Sequence, residues 1–147
     1  MKILMVCLGN ICRSPLAQGI MEHYAPEDWF IDSAGTSGWH SDERPDTRSI
    51  LTAKEHGITL DHQRSRQVTI EDFEFFDILF AMDSANFSNL IQLAPSDAAK
   101  QKVRLILNES YPGENRPVPD PYTGGQEGFT HVYELLDEAI QSFLKTH

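Results

Sequence analysis

A chain of 147 residues has room for one domain, large enough to bury roughly two-thirds of its unfolded surface. With 40% hydrophobic and 23% charged residues it has the composition of a soluble globular protein, and no apolar run approaches the roughly 20 residues of a membrane span. The formal net charge of −10, from 22 acidic and 12 basic side chains, argues against nucleic-acid binding and sets a repulsive long-range field against anionic substrates. The N-terminal stretch lacks the long apolar region and cleavage site of a signal peptide, so a cytoplasmic location is expected. In such a compartment the only two cysteines, Cys7 and Cys12, read as a reactive site rather than a structural disulfide.

Ile3 to Val6 is an unbroken apolar run too short for a helix of its own, and predicts a buried parallel strand. It leads into Cys7-Leu8-Gly9-Asn10-Ile11-Cys12-Arg13-Ser14-Pro15. Gly9 and Asn10 are the residues most tolerant of positive φ, and Ser14 and Pro15 suit the N-cap and first position of a helix. Leu16, Ala17, Ile20, Met21 and Tyr24 then recur at helical spacing until Pro26 stops them. Trp29-Phe30-Ile31 predicts a second strand that ends at Asp32-Ser33-Ala34-Gly35. Residues 35–47 form a loop rich in Gly, Ser, Pro and Asp with Trp39 at its middle, long enough to be functional. Asp46 caps a helix over about 47–56, which Gly57 ends.

The stretch from Ile58 to Gln67 is irregular and basic. Its Arg64 and Arg66 suit either ion pairs or the rim of a site. Residues 68–73 start a short helical turn, a third strand follows over 76–82, and Asp83-Ser84 cap the next helix. A fourth strand covers 103–107, a Pro/Gly-rich loop covers 108–125, and the last helix runs from about 126 to 145. On that helix Phe129, Val132, Leu136, Ile140 and Phe143 share one apolar face. Strands alternating with helices predict an α/β fold: a four-stranded central parallel sheet with helices on both faces and the first strand inside it. Ligands of such sheets bind at the carboxyl ends of the strands, where the loop after strand 1 lies.

Strand, curled loop and helix N-terminus, with a thiol at the loop's start and a guanidinium at its end, make a phosphate site with a nucleophile beneath it. Loop N–H groups and the helix dipole favour a bound dianion, and together with Arg13 they favour a thiolate at Cys7. Arg13 can grip two phosphoryl oxygens at once. Ser14 is placed to hydrogen-bond the sulfur, while Gly9 and Asn10 hold the loop open. Under the bland alternative, Cys7 is an inert buried thiol and Arg13 a solvated helix residue.

Cys7 to Pro15 resembles the phosphate loop of the low-molecular-weight protein tyrosine phosphatases. The likeness continues through Asp32-Ser33-Ala34-Gly35-Thr36, His56-Gly57-Ile58, Arg64-Ser65-Arg66-Gln67, Ala81-Met82-Asp83 and Asp120-Pro121-Tyr122, so that it spans residues 1–147 as a single domain. The resemblance implies hydrolysis of phosphotyrosine monoesters through a phosphocysteine. Cys7 is then the nucleophile, Arg13 the phosphate clamp, Asp120 the general acid and base, and Ser14 a partner of the sulfur. Leu8, Gly9, Asn10, Ile11 and Cys12 form the phosphate-binding loop, and Trp39, Tyr122, Leu8 and Ile11 wall the substrate ring. Ser33 is either a tie for the loop or a plain turn residue.

The chemistry asks for no cofactor and no metal, and the six histidines show no metal-ligand spacing, so His56 and His62 read as structural or surface residues. The implied partners are a phosphotyrosine-containing protein and, opposing the enzyme, a tyrosine kinase. Inorganic phosphate is product and inhibitor, and the chain is expected to be a monomer. Relatives that cleave phosphoarginine carry threonine where Ile11 stands, and many members carry a second tyrosine where Thr123 stands. Cys12 is the expected redox partner of Cys7, closing a disulfide under peroxide, with a buried spectator thiol as the alternative. Two rival readings are arsenate reduction, which in this family recruits cysteines downstream of Cys12 where none exist, and a non-enzymatic phosphate-binding or redox-sensing module.

Overall fold

A computed structural model of the chain describes residues 1–147. Its framework is a four-stranded, all-parallel sheet in the order β2-β1-β3-β4, made of β1 (Lys2–Cys7), β2 (Phe30–Gly35), β3 (Ile78–Ala81) and β4 (Val103–Leu105). β1 lies inside the sheet because its run is apolar on both faces. Ile3, Met5 and Cys7 pack on one side and Leu4 and Val6 on the other. The two sides are separate cores. One holds α1 (Arg13–Tyr24), α2 (Thr47–Glu55) and α6 (Gln126–Lys145); the other holds α3 (Asp72–Phe75), α4 (Ser84–Leu93) and α5 (Asp97–Lys100). On α6 the five apolar residues expected to share a face, Phe129, Val132, Leu136, Ile140 and Phe143, are all buried.

Several boundaries differ from the sequence reading for physical reasons. Helix α1 starts at Arg13 with Cys12 as its N-cap, and no side chain caps it. Ser14 is inside the first turn, because its hydroxyl serves the sulfur of Cys7 and the amide of Asn10 instead of a backbone N–H. Tyr24, expected on the buried stripe, is 43% exposed at the last turn. β3 and β4 are shorter than the apolar runs that suggested them: Phe76, Met82, Ile106 and Leu107 are buried outside the ladder, the last two in a 3-10 turn at Ile106–Glu109. In the loop after β1 only Asn10 takes a positive φ, of 58°. α5 had no periodic signal: it is four residues long and rests on a cap, the Ser96 hydroxyl accepting from Ala99 N–H at 3.1 Å.

Parallel register puts the carboxyl ends of β1 and β2 side by side, Cys7 opposite Gly35. A Cβ at position 35 would stand 2.7 Å from the carbonyl oxygen of Leu8, so glycine there lets the loop after β1 lie directly on β2.

Candidate active site

The loop at residues 8–12 leaves β1 at Cys7 and enters α1 at Arg13. None of the backbone N–H groups from Gly9 to Ser14 that can donate does so within the chain. Helix geometry explains the last of these, since the first turn has no intrahelical acceptors, and the curled loop explains the others. Six neighbouring unpaired donors form a nest for an anion.

Buried side chains hold that nest in shape. Asn10 donates to Ser14 Oγ at 2.8 Å and to Ser33 Oγ at 2.9 Å, and its Oδ1 accepts from the backbone N–H of Arg66 at 3.1 Å. Ser33 in turn donates to Gln18 Oε1 at 2.7 Å. Ser33 is therefore a tie for the loop rather than a plain turn residue. Cys7 Sγ lies 3.0 Å from Ser14 Oγ.

Arg13, 4% exposed, donates from Nη1 to Asp83 Oδ2 at 2.8 Å and to the carbonyl of Val118 at 3.0 Å, while Nε and Nη2 have no partner within the chain. The guanidinium is thus fixed along one edge and free along the other, the arrangement a bidentate clamp needs. Asp120 is exposed. Its Oδ1 accepts from Tyr122 N–H at 3.1 Å, and its Oδ2 has no partner within the chain.

One cleft of about 170 Å³ brings together Cys7, Leu8, Gly9, Ile11, Cys12, Arg13, Trp39, Asp120 and Tyr122, with His40 added. An apolar cavity of roughly 150 Å³ takes a benzene ring, so the cleft is sized for one aryl group. Asn10 and Ser14 do not line it and act from behind the loop. The walls are open to solvent: Leu8 is 39%, Tyr122 48% and Trp39 78% exposed. Both cysteines are free thiols. That of Cys12 is pushed up to about 12, by burial first and then by the negative charges of Asp46, Cys7 and Asp120, with Arg48 opposing. No group of three or more His, Cys, Asp or Glu side chains is arranged to hold a metal ion.

Four residues around the site are given no part in it by the sequence reading. Asp83 read only as a helix cap, yet it also holds Arg13. His40 lines the cleft, with Nδ1 2.9 Å from Glu43 Oε2 and its backbone carbonyl accepting from the Ser65 hydroxyl. Asp46 and Arg48 form an ion pair beside the loop. Of the two arginines left open, Arg66 pairs with Asp32 and Asp72 and Arg64 donates to backbone carbonyls, so neither lines the cleft. His56 stacks on Tyr133 with ring centroids 3.8 Å apart, and His62 pairs with Glu22, both structural.

A family model described as low molecular weight phosphotyrosine protein phosphatase matches residues 2–147. The low molecular weight phosphotyrosine protein phosphatase of Schizosaccharomyces pombe is 41% identical over 99% of this chain and 96% of its own. Among solved structures, a protein tyrosine phosphatase from Entamoeba histolytica with Hepes in its active site superposes with a TM-score of 0.91 at 38% identity, covering 99% of this chain and 96% of that one. A Drosophila arginine phosphatase superposes with a TM-score of 0.92 at 33% identity, covering 99% and 97%.

Proposed function

The chain belongs to the low molecular weight phosphotyrosine protein phosphatase family and is a protein-tyrosine phosphatase, and we propose that Cys7, Arg13, Ser14 and Asp120 carry its reaction. The Cys7 thiolate attacks phosphorus in line with the aryl oxygen. The S–P bond forms as the P–O bond breaks, and Asp120 Oδ2 gives its proton to the departing phenolate. The free edge of Arg13 and the loop N–H groups hold the equatorial oxygens through both transfers. Water then attacks the phosphocysteine, Asp120 takes its proton, and sulfur leaves as a thiolate that accepts the Ser14 hydroxyl. Leu8, Gly9, Asn10, Ile11 and Cys12 form the phosphate loop. Trp39, Tyr122, Leu8 and Ile11 flank the ring, and Ile11, where phosphoarginine-cleaving relatives carry threonine, favours the aryl ester.

The observation that carries this reading is the set of unpaired N–H donors from Gly9 to Ser14 curled beside a cysteine whose sulfur meets a hydroxyl at 3.0 Å. The substrate is a phosphotyrosine-bearing protein. Inorganic phosphate is product and competitor, a tyrosine kinase supplies the substrate, and the enzyme acts as a cytoplasmic monomer. No helix is long and apolar enough to cross a membrane. Cys12 acts as redox partner: peroxide converts the Cys7 thiolate to a sulfenic acid, and Cys12 sulfur then displaces water to close a disulfide that thiol reductants reopen.

The test is hydrolysis of p-nitrophenyl phosphate in a chelator, beside phosphotyrosine, phosphoserine and phosphoarginine. Turnover of the aryl esters with phosphate found on Cys7 in a rapidly quenched sample supports the assignment. Activity that survives Cys7→Ser sinks it. Equal turnover by Asp120→Ala removes Asp120 from the mechanism.

A further inference from the structure

Asp120 is carried on a stretch, residues 114–121, with no helix or strand of its own. Such a stretch places a carboxyl only as well as its anchors do. Upstream, Val118 N–H donates to the carbonyl of Met82 at 2.8 Å and its carbonyl accepts from Arg13. Downstream the anchor is Arg48. Its Nη2 donates to the carbonyl of Tyr122 at 2.8 Å and its Nη1 to that of Gly124 at 2.9 Å. Tyr122 is the same residue whose N–H holds Asp120 Oδ1.

Arg48 is itself fixed. Asp46 Oδ1 accepts from Arg48 Nε and from its backbone N–H, and Asp46 Oδ2 accepts from Nη2 at 3.0 Å. The guanidinium also lies 4.5 Å over the ring of Phe129 at the start of α6. The other end of this bracket is the phosphate loop, because Asp46 N–H donates to the carbonyl of Ile11 at 2.8 Å and Ser49 Oγ to that of Cys12 at 3.2 Å. The junction uses four of the guanidinium's five coplanar donors; a lysine ammonium supplies a single point charge.

We propose that Arg48 is a positioning residue for proton transfer, joining the Tyr122–Gly124 carbonyls to the Asp46 anchor on the phosphate loop and so fixing the Asp120 carboxyl at the depth of the leaving oxygen. The inference rests on Asp120 being the proton donor. Arg48 does not line the cleft, so its removal affects the reaction in proportion to how much the leaving group needs a proton.

The experiment compares kcat/KM, which reports the first phosphoryl transfer, across aryl phosphates. At one end is dinitrophenyl phosphate, whose phenolate departs unprotonated. At the other is phenyl phosphate, whose phenol matches tyrosine at a pKa of about 10. Arg48→Gln is expected to lower phenyl phosphate turnover by about tenfold or more, a part of the roughly 10²–10⁴-fold that a positioned acid supplies. Dinitrophenyl phosphate turnover and inhibition by inorganic phosphate should change little. Arg48→Lys, which also serves if the glutamine variant folds poorly, falls between. Adding Arg48→Gln to Asp120→Asn should bring no further loss on phenyl phosphate. A loss equal for all leaving groups, or no loss, overturns the inference. If Asp120→Asn shows the leaving-group dependence and Arg48→Gln does not, positioning by Arg48 falls alone. If Asp120→Asn is itself flat, the proton-donor reading of Asp120 falls, and the inference with it.

Discussion

Cys7 Sγ and Ser14 Oγ stand 3.0 Å apart at the foot of the phosphate loop, both nearly or fully buried. Asn10 donates to the same hydroxyl oxygen, which orients the Ser14 proton towards sulfur. A hydrogen bond to a charged group contributes roughly 1.5–3 kcal/mol, or about ten- to hundredfold in rate if realised in one step. That step is the second one, in which sulfur departs from phosphorus as a thiolate. Ser14→Ala should therefore lower kcat while the initial release of phenol stays fast, so that a burst becomes visible by stopped flow. An unchanged kcat would remove Ser14 from the chemistry.

Asp83 acts on two partners at once. Its Oδ2 receives Arg13 and its Oδ1 receives Asn86 N–H as the N-cap of α4, each at 2.8 Å. Asp83→Ala should lose about 1 kcal/mol from the cap. It also leaves buried Arg13 without its carboxylate and with only the Val118 carbonyl on its fixed edge, a change that reaches roughly 3–5 kcal/mol in fully buried pairs. The 25% exposure of Asp83 reduces that share here. Asp83→Asn keeps oxygen for one partner and should fall between. Urea midpoints read the stability. The inhibition constant for inorganic phosphate reads the clamp and should rise with Asp83→Ala, since a guanidinium held by the Val118 carbonyl alone must be further ordered on binding.

How far this site can be read in the sequence depends on how far apart its parts lie in the chain. Cys7, Arg13 and Ser14 are legible because strand, loop and helix start are consecutive and each residue type has a local reason to be there. Asp120 is legible as a stiffened Pro-Asp-Pro carboxyl, but only the family resemblance makes it an acid. Asp83 and Arg48 are not legible. Their partners lie 70 residues away at Arg13 and 74 to 76 away at Tyr122 and Gly124. Each already has a sufficient local role, as helix cap or first-turn residue. The misplacement of the α1 cap has the opposite origin: Ser14 is an ideal cap by type, and the sulfur outcompetes the backbone for it.

Asp46 gives the protein an acid limit of stability. Burial raises its carboxyl, but the side-chain and backbone hydrogen bonds of Arg48 and the Arg48 charge outweigh that and hold it below the ordinary carboxylate value. A depressed folded-state value means that the unfolded chain takes up the proton first. The stabilisation is therefore complete above the unfolded value of about 3.9 and is lost as pH falls through the lower folded one. The difference in urea midpoint between the wild type and Asp46→Asn should be constant at neutral pH and close below about pH 4. A difference that persists in acid would show that the carboxylate charge is not what stabilises.

The two cysteines share a loop but not a reactivity. With its thiol pushed up to about 12, by burial and then by Asp46, Cys7 and Asp120, Cys12 is protonated at neutral pH. Iodoacetate at pH 7 should spare Cys12, because the thiolate is the nucleophile. Cys12→Ser should accordingly keep most of its turnover. The same raised value sets the speed of disulfide closure after peroxide. Closure needs the Cys12 thiolate, whose fraction grows about tenfold per pH unit anywhere below its pKa, so the closure rate should climb by about a hundredfold between pH 7 and 9. Mass spectrometry of samples quenched by alkylation, after one equivalent of peroxide, measures it. In Cys12→Ser the oxidised Cys7 has no resolving thiol, and excess peroxide should then produce inactivation that dithiothreitol does not reverse. A closure rate flat with pH would mean that burial does not keep the Cys12 proton in place once Cys7 is oxidised.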